Sequence, residues 1–307
     1  MELLQSLTFL GIGNMGEALV RGLLSSNRVT IWNRTADRPK VRALVDAGAI
    51  FEPNVQNAIA KNDIIIICLL DYSNITMTLG NLPEKSLEGK TLINLTNGTP
   101  KQARELADWA SSHGVKHYFD GAVMVTPQMV GGPQFFFVLS GENHDLSEPV
   151  ASLLRPLGRP EYLGQAVDAA ARYDLAALLS MYGMFSGMFV AMALLKKGHT
   201  TPDEKLEPVV SGSLAPFLSA LIPYTGLIAR SWDERTWDDN LGNPIGMQAQ
   251  GLRNILNACQ DDGIDNGFLE YFGTAMETAA RDRGADGGIA VLGEDLKQKK
   301  LAGDKYV

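Results

Sequence analysis

The ten residues LTFLGIGNMG (7–16) constrain this chain more than any other stretch. An apolar run of strand character passes directly into G-x-G-x-x-G, and a helical pattern, NMGEALVRGLLSS, follows at once. That junction is the dinucleotide fingerprint of a βαβ unit. Gly11 permits the tight turn, Gly13 lets a pyrophosphate approach the backbone, and Gly16 lets the helix lie against the strand. Asn14 and Met15 stand between them and complete the expected cradle.

The surrounding pattern supplies the frame that such a motif needs. Further apolar runs recur at VTIW (29–32), DIIIIC (63–68), TLINL (91–95), HYFDG (117–121) and FFFVLS (135–140). They are nearly continuous rather than alternating, as expected of strands covered on both faces. Helical patterns separate the earlier ones, among them DRPKVRALVDAG and TPKQARELADWASSHG. The latter opens on Thr99 and Pro100, an N-cap and first-turn pair, and stops at Gly114. Alternating strand and helix predicts a parallel, doubly wound sheet: an α/β Rossmann domain over residues 1–164.

The end of the second strand bears on which dinucleotide is held. A site for NAD usually places Asp or Glu there, to bind the ribose 2′-hydroxyl. Here the residues are WNRT (32–35), so Asn33 and Arg34 replace the acid. A guanidinium suits a 2′-phosphate, which a carboxylate would repel. Thr35 adds a hydroxyl, and Arg38 and Lys40 lie nearby. The reading is NADP(H).

The second half changes character. After YLGQ (162–165) no turn signal appears until Lys197-Gly198, which predicts a helix over 165–197, about 50 Å long. From Leu175 to Leu195 it carries no charge, a length that could span a bilayer. Small residues at Ser180, Gly183, Ser186 and Gly187 instead suit close helix packing, and an all-round apolar helix can be buried in a core or between subunits. Residues 198–307 contain further helical patterns and no convincing strand, so an all-α C-terminal domain is expected.

Composition excludes several classes. A net charge of −8 argues against a nucleic-acid partner. Two isolated cysteines, Cys68 and Cys259, with no leader-like opening pattern, give the expectation of a cytoplasmic protein. Scattered histidines predict no metal site, and no G-x-S-x-G suggests a nucleophilic serine.

The motifs GIGNMG, VTIWNRT, IIIICLLD, INLTNGTP and YDLAALLSMYGMFSG, in that order and across nearly the whole chain, resemble those of imine reductases and reductive aminases. These form a branch of the β-hydroxyacid dehydrogenase superfamily. The resemblance implies a Rossmann domain, a long interdomain helix and a helical domain exchanged between the subunits of a homodimer. It implies NADPH as cofactor and an imine, ketone or amine as substrate. The parent dehydrogenases keep a catalytic lysine on the long helix, whereas this chain has none between Gly164 and Leu195.

By the same resemblance Asp174 occupies the variable catalytic position, and Tyr182 and Asn97 join it at the substrate. Taken alone, Asp174 reads as a helix residue near an N-terminal turn, or as an ion-pair partner of Arg172. A carboxylate there suits an iminium ion, whose cation it stabilises and whose proton it can relay. Tyr182 lies about 12 Å up the axis and about 80° round. Asn97 is also expected beside the nicotinamide. Cys68, Leu69 and Leu70 would line the cofactor, with Cys68 a small buried filler. Met124, Val125 and Phe217 would line the substrate pocket, with Met247 and Gln248 reaching it from the partner chain. In DGAVMVTP (120–127), Val125 and Thr126 stand where the branch more often has Ala and Val. The pattern is compatible with plain imine reduction and with reductive amination of ketones. The rival readings are an ordinary β-hydroxyacid dehydrogenase and a catalytically silent NADP-binding regulator.

Overall fold

A computed structural model describes residues 5–83, 85–133, 135–141, 148–198 and 204–298. The chain divides into two compact units, 1–180 and 181–307.

The first unit is built on an eight-stranded sheet in the order β3-β2-β1-β4-β5-β6-β7-β8. Its strands are β1 (Gln5–Leu10), β2 (Asn27–Trp32), β3 (Ile50–Phe51), β4 (Ile64–Ile67), β5 (Thr91–Asn94), β6 (His117–Val123), β7 (Phe136–Gly141) and β8 (Arg159–Tyr162). Helices α1 (Asn14–Leu23), α2 (Pro39–Asp46), α3 (Val55–Ala60), α4 (Tyr72–Leu79), α5 (Pro100–Ser112) and α6 (Glu148–Leu154) connect them. The β4 run reads as continuous isoleucine because both faces are buried. Ile66 enters the cluster with Phe9, Leu19, Ile93 and Phe119, while Ile65 and Ile67 enter the opposite one with Ile75, Leu92 and Leu106. Thr99 caps α5 with a full capping box to Gln102, and Gly114 follows the helix with φ +76°, as its sequence predicts.

The sheet is parallel throughout except at one pairing. β7 runs antiparallel to β6, pairing Asp120 with Ser140 and Val123 with Phe137. Among the described residues between them only a short 3₁₀ turn (Pro127–Met129) is formed, with no helix to carry the chain across the sheet face, and the strand returns beside its predecessor. Two strands also escaped the sequence reading. β3 has only two residues, and β8 (RPEY) carries charges and a proline at the sheet edge.

The long helix, α7, covers Ala169–Lys197. It starts four residues later than expected, with a length of about 43 Å. Gly164 takes φ +103°, and the Ala169 amide closes a turn onto Ala166 O. Ser140 Oγ then accepts the Ala170 amide at 3.0 Å, satisfying one of the first-turn donors. The division between units falls inside this helix, not at its ends. Its first turns pack on the sheet, where Ala170 joins Ala122 and Val138.

In the second unit, α8 (Glu207–Val209), a π-turn (Val210–Leu214) and α9 (Ala215–Glu234) run on as one helix. α10 (Ile245–Asp262), α11 (Gly267–Arg283) and α12 (Val291–Gln298) share a core of Ile245, Leu252, Met276, Val291 and Leu292. The helices Ala169–Lys197 and Glu207–Glu234 are each long and apolar enough to cross a membrane, and the rest of the chain buries 6% and 0% of their most apolar windows. Leu179, Phe189 and Ile222 are among the large apolar side chains left exposed.

Candidate active site

The turn from β1 into α1 has the close approaches read for Gly11 and Gly16. Gly11 has φ +105°, and a methyl added there would lie 2.3 Å from Cys68 O. A methyl on Gly16 would lie 2.0 Å from Gly11 O, so helix and turn touch backbone to backbone. At Gly13, the α1 N-cap, an added methyl would meet nothing within 4 Å. No side chain caps this end of α1, which leaves its donors and the positive end of its dipole turned to an open cleft.

That cleft holds about 430 Å³ and is lined by Gly11, Gly13, Asn14, Met15 and Gly16 on one side. Asn33, Arg34, Thr35 and Arg38 line the β2 side, and Cys68, Leu69, Leu70 and Asn74 the third. Every residue assigned to the cofactor from sequence lies on it except Asn97. Asn33 serves the backbone: its Oδ1 accepts the Ile12 amide at 3.0 Å and its Nδ2 donates to Thr35 O at 2.8 Å. Arg34 is exposed and donates to Asn74 Oδ1 at 3.3 Å. Lys40 is committed elsewhere, to Asn14 and to Glu17 at 3.3 Å. Arg34 and Arg38 are therefore the cations turned to the cleft. Glycine turn, uncapped helix and guanidinium together fit a dinucleotide with a 2′-phosphate. Burial pushes the Cys68 thiol up to about 12, and the residue stands half-buried in the cleft wall instead of fully buried as expected.

Asn97 sits beyond the carboxyl end of β5, two residues before the α5 N-cap. Its Nδ2 donates to Asp174 Oδ2 at 2.5 Å. Asp174, 7% exposed, has its pKa raised by burial, with the Asn97 bond opposing the shift. Asp174 does not pair with Arg172. That guanidinium turns back one helical turn to Asp168 at 2.9 Å, where Arg104 also binds. Asp174 thus has an amide for company and, among the described residues, no ion pair. Next to Asn97, Thr96 Oγ1 accepts the Leu69 amide at 3.0 Å, which ties this turn to the cofactor cleft.

The remaining candidates divide between the two units. Met124 packs with Ala122, Val138 and Ala170, whereas Val125 packs against the opposite core around Leu154 and Leu157. Tyr182, Phe217, Met247 and Gln248 belong to the second unit. Tyr182 is 60% exposed with its ring edge-on to Phe185, and Phe217 and Met247 are exposed as well. Gln248 donates to Asn243 O at 2.7 Å.

Sequence reasoning missed Asn74, which reaches the cleft from α4, and a buried polar group beneath Asn97. Asp120 Oδ1 accepts from Tyr72 Oη at 2.8 Å, Asn94 Nδ2 at 2.8 Å and Tyr118 Oη at 3.0 Å. The available signal was an Asp inside the apolar strand run HYFDG and an Asn inside TLINL.

Fold and site define a two-unit, dinucleotide-binding oxidoreductase with a buried carboxylate at the sheet's carboxyl end. The comparisons narrow the class. Residues 6–159 match the NAD binding domain of 6-phosphogluconate dehydrogenase, and 167–298 the C-terminal domain of NADPH-dependent reductive aminase-like proteins. The NADPH-dependent reductive aminase of Aspergillus oryzae is 36% identical over 293 residues, covering 94% of this chain and 96% of that one. A reductive aminase from Aspergillus terreus, solved with NADPH and ethyl-5-oxohexanoate, superposes with a TM-score of 0.87 at 35% identity, over 96% of this chain and 100% of that one. An imine reductase from Myxococcus stipitatus, solved with NADP+, gives 0.80 at 28% identity, over 95% and 99%. The chain belongs to the reductive aminase and imine reductase family.

Proposed function

We propose that this protein reduces C=N bonds of imines and iminium ions to amines with NADPH, and that it accepts a ketone plus an amine as the source of the imine. The observation that carries the proposal is the buried Asp174 carboxylate held by Asn97, on a helix with no lysine before its last turn, at Lys196 and Lys197. Relatives of this chain include a reductive aminase solved with NADPH4, cyclohexanone and allyl amine.

When bound, NADPH supplies a hydride equivalent. The chain's own residues do the rest. The α1 N-terminus and the glycine turn receive the pyrophosphate, and Arg34, Thr35 and Arg38 receive the 2′-phosphate. Asp174 lies against the imine nitrogen, where its charge stabilises the iminium cation and its raised pKa suits proton exchange. Asn97 fixes the carboxylate, and Tyr182 contacts the substrate from farther along α7. Met124, Val125, Phe217, Met247 and Gln248 shape the pocket.

The domain plan is a Rossmann domain (1–164), an interdomain helix and a helical domain (198–307), in a homodimer that exchanges the helical domains. The exposed apolar faces of α7 and α9 support this, because they are too large to stay in water. The protein works in the cytoplasm as a small-molecule enzyme, off nucleic acid and membrane.

The test is NADPH oxidation with a cyclic imine, then with a ketone plus a primary amine. Turnover of the imine is expected. Brisk oxidation of a 3-hydroxy acid with every imine ignored would establish the dehydrogenase reading instead. No turnover of either class would favour the silent regulator.

A further inference from the structure

Asp120 is 1% exposed, and the bonds it accepts come from three neutral groups. Burial holds it well above the ordinary carboxyl range, at about 6, against the opposing effect of those three donors. Tyr72 and Tyr118 stay protonated, because burial and then the Asp120 charge raise their own pKa values. A buried carboxyl without a cation is a costly feature for packing alone to retain. Its neighbours point to a use.

Asn94 lies beside Asp120 in register on the adjacent strand and is wholly buried. Its Nδ2 donates to Asp120 Oδ1 and to Tyr72 Oη, both at 2.8 Å. Its Oδ1 accepts the Thr96 amide at 3.1 Å, so the amide is spanned between Asp120 and the turn that carries Asn97. The Tyr72 ring supplies a second hold. A methyl on Gly98 would lie 2.2 Å from that ring, so the Asn97-Gly98 backbone rests directly on it. Both holds on the turn converge on one oxygen, Asp120 Oδ1.

We propose that Asp120, with Asn94 and Tyr72, is a positioning residue of the reaction: it sets where Asn97 stands and so orients the Asp174 carboxylate. It touches neither substrate nor cofactor. The inference rests on the role given to Asn97 and Asp174 above.

The test is a double-mutant cycle in steady-state kinetics with a cyclic imine. Asp120→Ala should lower kcat by roughly 10- to 100-fold, the cost of a misplaced group near the chemistry, and leave the KM for NADPH within about 2-fold. Asp120→Asn should restore kcat, since one amide oxygen can accept the same three bonds. In an Asn97→Ala background, Asp120→Ala should add less than about a 2-fold further loss, because the group it positions is already gone. Tyr72→Phe removes a hydroxyl and keeps the ring on Gly98, so it is the variant to use if Asp120→Ala fails to fold. It should slow the unmutated enzyme and leave Asn97→Ala unchanged.

Equal fractional losses in both backgrounds, or failure of Asp120→Asn to restore kcat, overturn the proposal. If Asn97→Ala itself turns over at the unmutated rate, the role of Asn97 has failed instead. The two failures are therefore distinct.

Discussion

Asn97 and Asp174 stand 77 residues apart in the chain, yet the Asn97 amide donates to Asp174 Oδ2 at 2.5 Å. One lies just past β5, the other in the second turn of α7. A carboxylate that accepts from a neutral amide keeps its own negative charge available to a third group. Burial meanwhile raises its pKa, so the proton is retained more readily than on a surface aspartate. The pair stands near the sheet's carboxyl end, where ligands of open α/β sheets bind.

Asp174→Ala should lower kcat for a cyclic imine by at least roughly 10²-fold, a typical loss for a positioned acid–base group. Asp174→Asn keeps the shape without the charge and should be impaired as well. NADPH affinity should survive both changes, because the cleft contacts none of the altered atoms. A preformed iminium salt, which needs no proton, should be partly rescued in both variants. Unmutated rates with both substrates would reduce Asp174 to a structural residue.

The same pair predicts a pH effect with a definite sign. The Asn97 bond favours the ionised form of Asp174 and lowers its pKa, against the dominant effect of burial. Asn97→Ala removes that bond, so the pKa assigned to Asp174 in the pH profile of kcat/KM should move upward. A downward shift would contradict the geometry.

Cofactor choice rests on Arg34. NADPH should be used far more efficiently than NADH. Loss of one charge-assisted pair costs about 1.5–3 kcal/mol, so Arg34→Ala should weaken NADPH binding by roughly ten- to a hundredfold. NADH should change little. Equal kinetics with both cofactors in the unmutated protein would refute the assignment.

Asp120 should leave its mark on stability. Its pKa is about 6 in the folded protein, above the ordinary value near 3.9 that it takes when unfolded. Below about pH 4 both states are protonated and there is no penalty. Between about pH 4 and 6 the unfolded chain releases the proton and the folded one keeps it, so stability falls as pH rises, then levels off. The total is about 3 kcal/mol. Asp120→Asn should lack this decline in a series of Tm measurements over that range. Parallel curves for the two proteins would place the titration elsewhere.

The apolar windows of α7 and α9 are almost unburied within one chain, so the protein should be a dimer at micromolar concentration. Light scattering checks this directly. A well-folded monomer with no tendency to associate would remove the support for exchanged domains.

Much of the first unit was legible from local pattern. A strand buried on both faces needs an unbroken apolar run, and β4 has one. A pyrophosphate turn needs glycine where backbone meets backbone, and Gly11 and Gly16 are found doing so. Lack of an acid after β2 is a local fact too, and Arg34 does line the cleft. The helix positions of Asp174 and Tyr182 follow from a run without turn signals. Each of these depends on residues close in sequence.

Other features depend on residues that only folding brings together. The direction of β7 was decided by the absence of a crossover helix between it and β6, which apolar pattern alone does not report. The start of α7 was set by Ser140, from a strand distant in sequence, accepting the Ala170 amide. Asp174 and Arg172 look like partners in sequence, but Asp168 lies one turn from Arg172 on its own helical face and takes that guanidinium. Asp120 and Asn94 were two polar letters inside apolar runs. Their meaning came from strand register, which sets them side by side beneath Asn97, and from Tyr72, which α4 delivers to both. Chemistry-bearing residue types can be read one at a time; who faces whom is a property of the packed chain.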